Sequence, residues 1–504
     1  MKLYLSKDSR VIDEYAIKNI GVPSIILMEH AARGVYEEIK KRFSPVKNRK
    51  FVVLYGSGNN GGDALCVARY LLLDGAKVII SEVVARPKTP DAQLEMEFLL
   101  KTAKGRRDFT KLDAKNVIKK IDKDTVVIDG VFGTGFRAAG KGTINKKLQK
   151  LFEAAGSAGF VLSIDVPSGV DADTGEVSEH SIVADCTVTF CLPKVGLFIS
   201  PGSLYSGEVI VKELFVPKKE KNTPYEFVDE ELAKNIAKGL KRRPDSHKGS
   251  YGHVAVVSPS KGMEGAVAMC VRAAMKSGAG LVSVLAVGEK EEFLRKRMPM
   301  LMSEAMIKEY MAKTLSSFSV VVVGPGFGKE RKKDLKDILS KVKVPIVIDA
   351  DALNIIAGDK KLLNILKKKD AVLTPHPGEM ARLTGRKDVQ EHRLSVLEKY
   401  VKGARFSVLL KGYRSMLGSG DGSIFINSTG NPALSKGGSG DVLSGIIAGF
   451  IAQGLSTKEA GILGAYVHGL CADVLVNKKK ASSLGVLPTD IIKELGNVLR
   501  CLTE

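Results

Sequence analysis

The chain of 504 residues contains no tryptophan, six cysteines and only 6% aromatic residues. Its cysteines (Cys66, Cys186, Cys191, Cys270, Cys471, Cys501) form no CxxC pair and no zinc-type spacing. That argues against a zinc finger or a disulfide scaffold and reads as buried or free thiols in a reducing compartment. Few aromatics and no arginine-rich arm leave no platform for bases, so nucleic-acid binding is not expected despite a formal net charge of +21. No unbroken apolar run approaches the roughly 18–20 residues that a bilayer requires, so no membrane span is expected. The opening MKLYLSKDSR is polar and lacks a secretory pattern, which makes a cytoplasmic protein the expectation.

What the chain does hold is ordinary globular composition, 44% hydrophobic and 26% charged, at a length that suggests two or three domains. Its lysines are scattered in short groups and read as solvated surface; their field favours small polyanionic substrates such as nucleotides. Short Val/Ile-rich runs alternate with amphipathic stretches. In the first half they cover residues 51–55, 77–81, 125–129, 159–165 and 186–190. In the second half they cover 253–257, 281–287, 320–323, 345–349, 371–374 and 407–411. Such alternation predicts an α/β protein with mostly parallel sheets covered on both faces, its sites just beyond the carboxyl ends of strands. A charged, proline-punctuated stretch at 216–245 separates the two series, giving a first domain over 1–220 and a second over 225–504.

Residues 427–447, NSTGNPALSKGGSGDVLSGII, are the most informative stretch. Gly437, Gly438 and Gly440 strip side chains from a turn, so backbone N–H groups can converge on an anion at a helix N-terminus. Asp441 sits on that same first turn. As a plain helix entry it would be a stabilising acid. Beside a phosphate site, however, a carboxylate repels the ligand unless it serves as base for a hydroxyl that attacks a phosphoryl group. Other strand ends in this half carry GPGFG with Gly326, DADALN with Asp349, and TPHPGE with His376. A further one carries KGYRS, which offers Lys411, Gly412 and Arg414 to phosphates.

In the first half, GSGNNGGD at 56–63 follows a strand and opens a helix, with Glu82 further on, which is a Rossmann fingerprint read literally. Asn59, Asn60 and Asp63 depart from it by adding amides and a negative charge where pyrophosphate should sit. A Walker-like Gly135-x4-Gly140-Lys141 is rejected because Gly142 replaces the required hydroxyl. At the next strand ends Asp129, Asp165, Ser168, Asp171 and Asp173 gather in Pro/Gly turns; Asp165 can act as a general base. Asp129, Ser168 and the Asn60 amide are hard oxygen ligands that suit an alkali or alkaline-earth ion. Capping and Asx-turn chemistry is the bland account of the same residues.

The ordered set GNNGGD, DGVFGTG and IDVPSGVDADTG, with GVPSIILMEHAARG before it, resembles the NAD(P)H-hydrate epimerase family over about residues 1–215. His30 stands where that family usually has asparagine. The set HKGSYGHV, GPGFG, DADALN, TPHPGE, KGYRS and TGNP…GGSGD resembles the ADP/ATP-dependent NAD(P)H-hydrate dehydratases of the ribokinase-like superfamily over roughly 225–504. Together the halves are similar to the bifunctional NAD(P)H-hydrate repair enzymes. The resemblance implies a Rossmann-like parallel-sheet sandwich followed by a ribokinase-like α/β/α sandwich.

In the first half it implies that Asn59, Asn60, Gly61, Gly62 and Asp63 hold the damaged dinucleotide. Gly133, Thr134, Gly135, Phe136, Arg137, Ala138 and Ala139 would do so too, while Asp165 contacts the reacting ring. Asn60, Asp129 and Ser168 would bind potassium. In the second half it implies that Gly326, His376 and Asp441 touch the hydrate. Lys411 to Ser415, with Asn431, Gly437, Gly438, Ser439 and Gly440, would bind the nucleotide, and Asp441 would be the catalytic base. Expected partners are NADHX, NADPHX and ADP or ATP with magnesium, in a homo-oligomer.

A ring hydroxyl leaves poorly, but its phosphate ester leaves well when the ring nitrogen's electrons expel it. One hand of the hydrate fits a chiral pocket, so the other must first be epimerised. The rival reading is a small-molecule kinase of the ribokinase superfamily fused to an NAD-binding oxidoreductase, which would release a stable phosphorylated product.

Overall fold

The computed structural model describes residues 1–138, 144–214, 222–240, 242–301 and 305–504. Ala139 and the joint residues 215–221 therefore lie outside the described residues. Its contacts form two compact units, Lys2–Thr223, and Pro224–Glu504 with Met1.

The first unit is built on a seven-stranded sheet in which every pairing is parallel. In chain order the strands are β1 Lys50–Tyr55, β2 Lys77–Glu82, β3 Phe109–Asp113, β4 Thr125–Gly130, β5 Phe160–Ile164, β6 Cys186–Phe190 and β7 Glu208–Lys212. They lie side by side as β3-β2-β1-β4-β5-β6-β7. The central strand β1, KFVVLY, is buried from Phe51 through Tyr55 because helices cover both faces of the sheet. Among these, α2 (Ser24–Phe43) and α3 (Asn59–Leu73) pack Val35, Leu65 and Ala68 against Phe51 and Val53. The shorter α1 (Ser6–Tyr15) precedes them, and α4 (Pro90–Ala103) packs on α3. Strand order reverses between β1 and β4, and the crevice at such a reversal is where ligands bind in open α/β sheets. Strands β3 and β7 escaped the sequence reading; they are edge strands, FTKLD and EVIVK, half-exposed and interrupted by charge.

The second unit holds strands β8 Tyr225–Val228, β9 His253–Val257, β10 Leu281–Ala286, β11 Met306–Glu309, β12 Val320–Val323 and β13 Ile346–Ile348. Strands β14 Ala371–Leu373, β15 Phe406–Leu410, β16 Met416–Gly418 and β17 Ile424–Asn427 complete it. Their order is β8-β17-β16-β15-β14-β13-β12-β9-β10-β11. All pairings are parallel except the two that β16 makes. Strands β8, β11 and β16 were not foreseen; each spans only three or four residues.

Helix α5 (Glu264–Lys276) follows β9, α6 (Pro377–Thr384) follows β14, and α7 (Ser439–Ala452) carries Asp441 on its first turn. Residues 442–452 of α7 are all buried, as expected of a helix apolar on every side. It lies so close to α5 that a Cβ on Gly445 would stand 2.2 Å from the Cys270 carbonyl oxygen. Next comes α8 (Thr457–Asp473), packed between α7 and α9 (Pro488–Thr503).

One expectation needs correction here. The 22 residues Thr457–Lys478 are helical and contain an 18-residue window of mean hydropathy 1.3, enough by length and composition alone to cross a bilayer. Glycines, His468 and Asp473 break the run, so a search for unbroken apolar stretches passes over it. Its apolar side chains are spent on the core, where Ile462, Leu463, Val467 and Cys471 are buried.

Because only a hydrogen fits at position 445, Gly445→Val is expected to push α7 off α5. The overpacking should cost about 1–3 kcal/mol, read as a lowered midpoint in denaturant unfolding of the full chain.

Candidate active sites

At the β1/β4 reversal of the first unit lies a cavity of about 1000 Å³. Helix α3 begins there at Asn59, and a Cβ on Gly61 would meet the Gly56 carbonyl oxygen at 2.1 Å, so the turn closes tightly beneath the cavity. Asn59, Asn60 and Asp63 line it, whereas Gly61 and Gly62 are buried behind. From the loop after β4 come Gly133, Thr134, Gly135, Phe136 and Arg137; Ala138 is described but does not line the cavity. Arg137 is anchored to Asp173 at 3.1 Å and to the carbonyl of Phe136 at 2.7 Å. Asp171 accepts the N–H groups of Asp173 and Thr174, so it serves as a turn residue.

Asn60 donates through Nδ2 to the Phe132 carbonyl at 3.0 Å, while its Oδ1 is buried without a partner. Close by, Asp129 is fully buried and accepts four hydrogen bonds: Ser163 Oγ at 2.8 Å, Ser168 Oγ at 2.5 Å, Ser168 N–H at 2.8 Å and Val131 N–H at 3.2 Å. Burial pushes its carboxyl up and these donors pull it back. Asp165 sits in the left-handed region at φ 65°. Its Oδ1 accepts from Lys194 Nζ at 2.7 Å and from Thr189 Oγ1 at 2.9 Å, and Lys194 is itself buried.

One expectation is qualified. The negative charge expected of Asp63 near the helix end is opposed by burial, with Asp165 and Asp13 nearby, which pushes its carboxyl well above the ordinary value. His30 is exposed, 3.5 Å from the Leu214 carbonyl, and does not line the cavity. Lys194 and Asp13 were both missed. Lys194 lies four residues past the end of β6, where the strand-end rule would have found it. Asp13 sits on an ordinary amphipathic helix and carries no such signal.

In the second unit a cavity of about 450 Å³ is lined by Lys411, Gly412, Tyr413, Arg414, Ser415, Asn431, Ser439 and Gly440. Gly437 is exposed and Gly438 half-buried, both outside the lining. Gly438 starts α7 at φ 94°, a conformation that suits glycine. A Cβ on Gly440 would meet Lys411 Nζ at 3.3 Å. Lys411 donates to Asp349 Oδ1 at 2.9 Å, and Ser444 Oγ donates to Asp349 Oδ2 at 2.9 Å. Beside this pair the Asp441 carboxyl is pushed up to about 7, by burial and by Asp349, with Lys411 opposing.

Gly326 and His376 follow β12 and β14 at the carboxyl edge of the same sheet and do not line this cavity. His376 caps α6: its Nδ1 accepts the N–H groups of Gly378 at 3.0 Å and Glu379 at 3.4 Å. Burial, Lys411 and Arg382 pull its imidazole below the usual value, and with Nδ1 accepting, the neutral ring carries its proton on Nε2.

Three supports of this site had no sequence signal. The buried Arg393 donates to the carbonyls of Tyr413 at 3.2 Å and Leu410 at 3.3 Å, fixing the KGYRS turn; burial pulls its guanidinium down to about 10. Asp473 accepts from Gly430 N–H at 2.8 Å and Asn431 Nδ2 at 2.9 Å, holding the TGNP turn. His468, buried and pulled down to about 4 by burial, stands 3.3 Å from Ser439 Oγ.

A carboxyl that ionises near 3.8 in the unfolded chain and at about 7 in the native one destabilises the fold increasingly between those values. Below that window both states are protonated and nothing is lost; above it the penalty is constant. Asp441→Asn is therefore expected to stabilise the protein by on the order of 1–3 kcal/mol at about pH 8 and by little at about pH 4, measured by denaturant unfolding at both.

The family described as YjeF-related protein N-terminus matches residues 24–196, and that described as NAD(P)H-hydrate dehydratase matches residues 254–497. A bifunctional NAD(P)H-hydrate repair enzyme from Moorella thermoacetica is 36% identical over 528 residues, covering 100% of this chain and 98% of the relative. That of Dictyoglomus turgidum is 34% identical, covering 98% of each. A solved ADP/ATP-dependent NAD(P)H-hydrate dehydratase from Bacillus subtilis, co-crystallised with ATP and Mg2+, is 27% identical; it covers 55% of this chain and 98% of its own, with a TM-score of 0.47. With each half matched by its own family and the full length shared with such relatives, the chain belongs to the bifunctional NAD(P)H-hydrate repair enzymes.

Proposed function

We propose that the first unit interconverts the R and S hydrates of NADH and NADPH, and that the second dehydrates the S hydrate with ADP or ATP. What carries the dehydratase reading is Asp441. Its carboxyl, matched to neutral pH at about 7, lies on the first turn of α7 directly after Ser439 and Gly440, which line the cavity, although Asp441 is not itself among the lining residues. Asp441 takes the proton of the ring hydroxyl as its oxygen attacks the nucleotide's terminal phosphoryl group. Lys411 and the positive end of α7 stabilise the charge that spreads over that group. The ring nitrogen's electron pair then expels phosphate, and loss of a proton from the adjacent saturated ring carbon restores the dihydropyridine.

The nucleotide's phosphates would bring magnesium, which commonly binds through phosphates and water with few protein ligands. Asp349 and Asp351 are already engaged, by Lys411 and Ser444 and by the Gly328 N–H respectively. The rival kinase–oxidoreductase reading is disfavoured by the whole-length family match. We infer ADP as the preferred nucleotide for this undivided chain.

In the first unit, potassium suits the orphaned Asn60 Oδ1, with Ser168 and Asp129 as further hard oxygens. There it would hold Asn60 and the loop after β4 in place. Asp165 would meet the reacting ring.

Mixed-epimer hydrate should regain NADH absorbance with ADP, and not without nucleotide. Asp441→Asn should reduce that turnover by about 100-fold or more while epimer exchange persists; retained turnover would remove Asp441 as base. Exchanging potassium for lithium is expected to slow epimer interconversion, followed by chiral chromatography, without changing dehydration of pure S hydrate. Equal rates in both salts would count against the ion.

A further inference from the structure

The cavity of the first unit contains carboxyl groups that the fold leaves unsatisfied. Asp13 on α1 and Asp63 on α3 both line it, and neither side chain has a hydrogen bond or ion pair among the described residues. Asp165 is the opposite case, fixed by Lys194 Nζ at 2.7 Å and Thr189 Oγ1 at 2.9 Å. A carboxylate held by a buried ammonium, close to a carboxyl without any partner, is how two-carboxyl sites divide base from acid.

Resting on the epimerase reading, we propose that Asp13 is a catalytic residue of that half, the general acid that works with Asp165 as base. Of the two unpartnered acids, Asp63 belongs to the turn that cradles the dinucleotide. Asp13 comes from a separate helix, against the Asp165–Lys194 pair. Hydration of the dihydropyridine places the hydroxyl on the carbon bonded to the ring nitrogen, so inverting that carbon requires one of its bonds to open and re-form. Asp165 takes the hydroxyl proton and the O–H electron pair forms the C=O bond. The C–N bond breaks, its electron pair stays on nitrogen, and Asp13 donates a proton there.

The open-chain aldehyde turns its other face and closes. Asp13 takes back the nitrogen proton, nitrogen re-forms the C–N bond, and Asp165 returns its proton to oxygen. Both carboxyls end as they began, and no oxidant, reductant or further reactant enters.

Burial pushes the Asp13 carboxyl up to about 6, with Lys194 pulling it down and Asp165 pushing it up. Asp63 and Cys191 also face this group, and Arg10, Asp91 and Arg137 line the same cavity. Since the acid form is the working one, interconversion should fall as pH rises through that value.

The test measures R/S interconversion by the full chain across pH without nucleotide, with dehydration of pure S hydrate as the control for folding. Asp13→Asn should slow interconversion by about 100-fold or more, abolish the alkaline limb and leave dehydration unchanged. Asp13→Glu, which keeps an acid, should restore part of the rate and a displaced limb. Asp13→Asn retaining the wild-type rate, or losing rate while keeping the wild-type pH profile, would overturn the assignment, as would a Glu variant no better than Asn. Wild-type protein that interconverts no faster than buffer would remove the epimerase reading, and Asp13 with it.

Discussion

An ammonium–carboxylate pair with its carboxylate buried underlies the second unit's site: Lys411 Nζ donates to Asp349 Oδ1 at 2.9 Å under the first turn of α7. Asp349 follows β13 and Lys411 follows β15, so the pair ties two strand ends together. Ser444, a turn further along α7, closes the other carboxylate oxygen at 2.9 Å. Removing one partner of such a pair strands a buried charge, at a cost of about 3–5 kcal/mol. Asp441 is the next carboxyl on the same helix. With Lys411 already committed, Asp441 is left with burial and a neighbouring negative charge, and both push its proton affinity up. The raised proton affinity of Asp441 follows from where its neighbour's counter-charge is committed.

The first unit uses the same device on an unrelated sheet. Lys194 is committed to Asp165 at 2.7 Å, and Asp13 and Asp63 beside it are pushed up by burial. In each unit one lysine past a strand's carboxyl end pairs with one carboxylate, and a neighbouring carboxyl is left with its proton affinity raised. This division suits chemistry that moves a hydroxyl proton. Close backbone packing makes room for both arrangements. Gly61 under the first cavity and Gly440 over Lys411 leave space that a side chain would fill.

Much of this was legible beforehand. The buried parallel strands announce themselves as continuous runs such as FVVLY and HVAVV, because both faces of the sheet are covered. The turn glycines, Asp441 and Asp165 lie where strand-end logic puts them. Edge strands such as FTKLD and EVIVK were not legible, since a half-exposed strand carries charge and loses the pattern. Nor were Arg393, Asp473 and His468, whose partners lie 17 to 43 positions away in the chain.

The sequence by itself determined which segments become buried strands, which turns are stripped of side chains by glycine, and which carboxyls stand at strand ends, because hydrophobic period and glycine spacing act locally. Only the tertiary structure decided the protonation of those carboxyls. Asp63 and Asp165 look alike as letters, yet one is isolated by burial and the other is paired with a lysine 29 positions away. Proton affinity depends on solvent exclusion and on charges brought close by folding, and neither is a property of neighbouring residues in the chain.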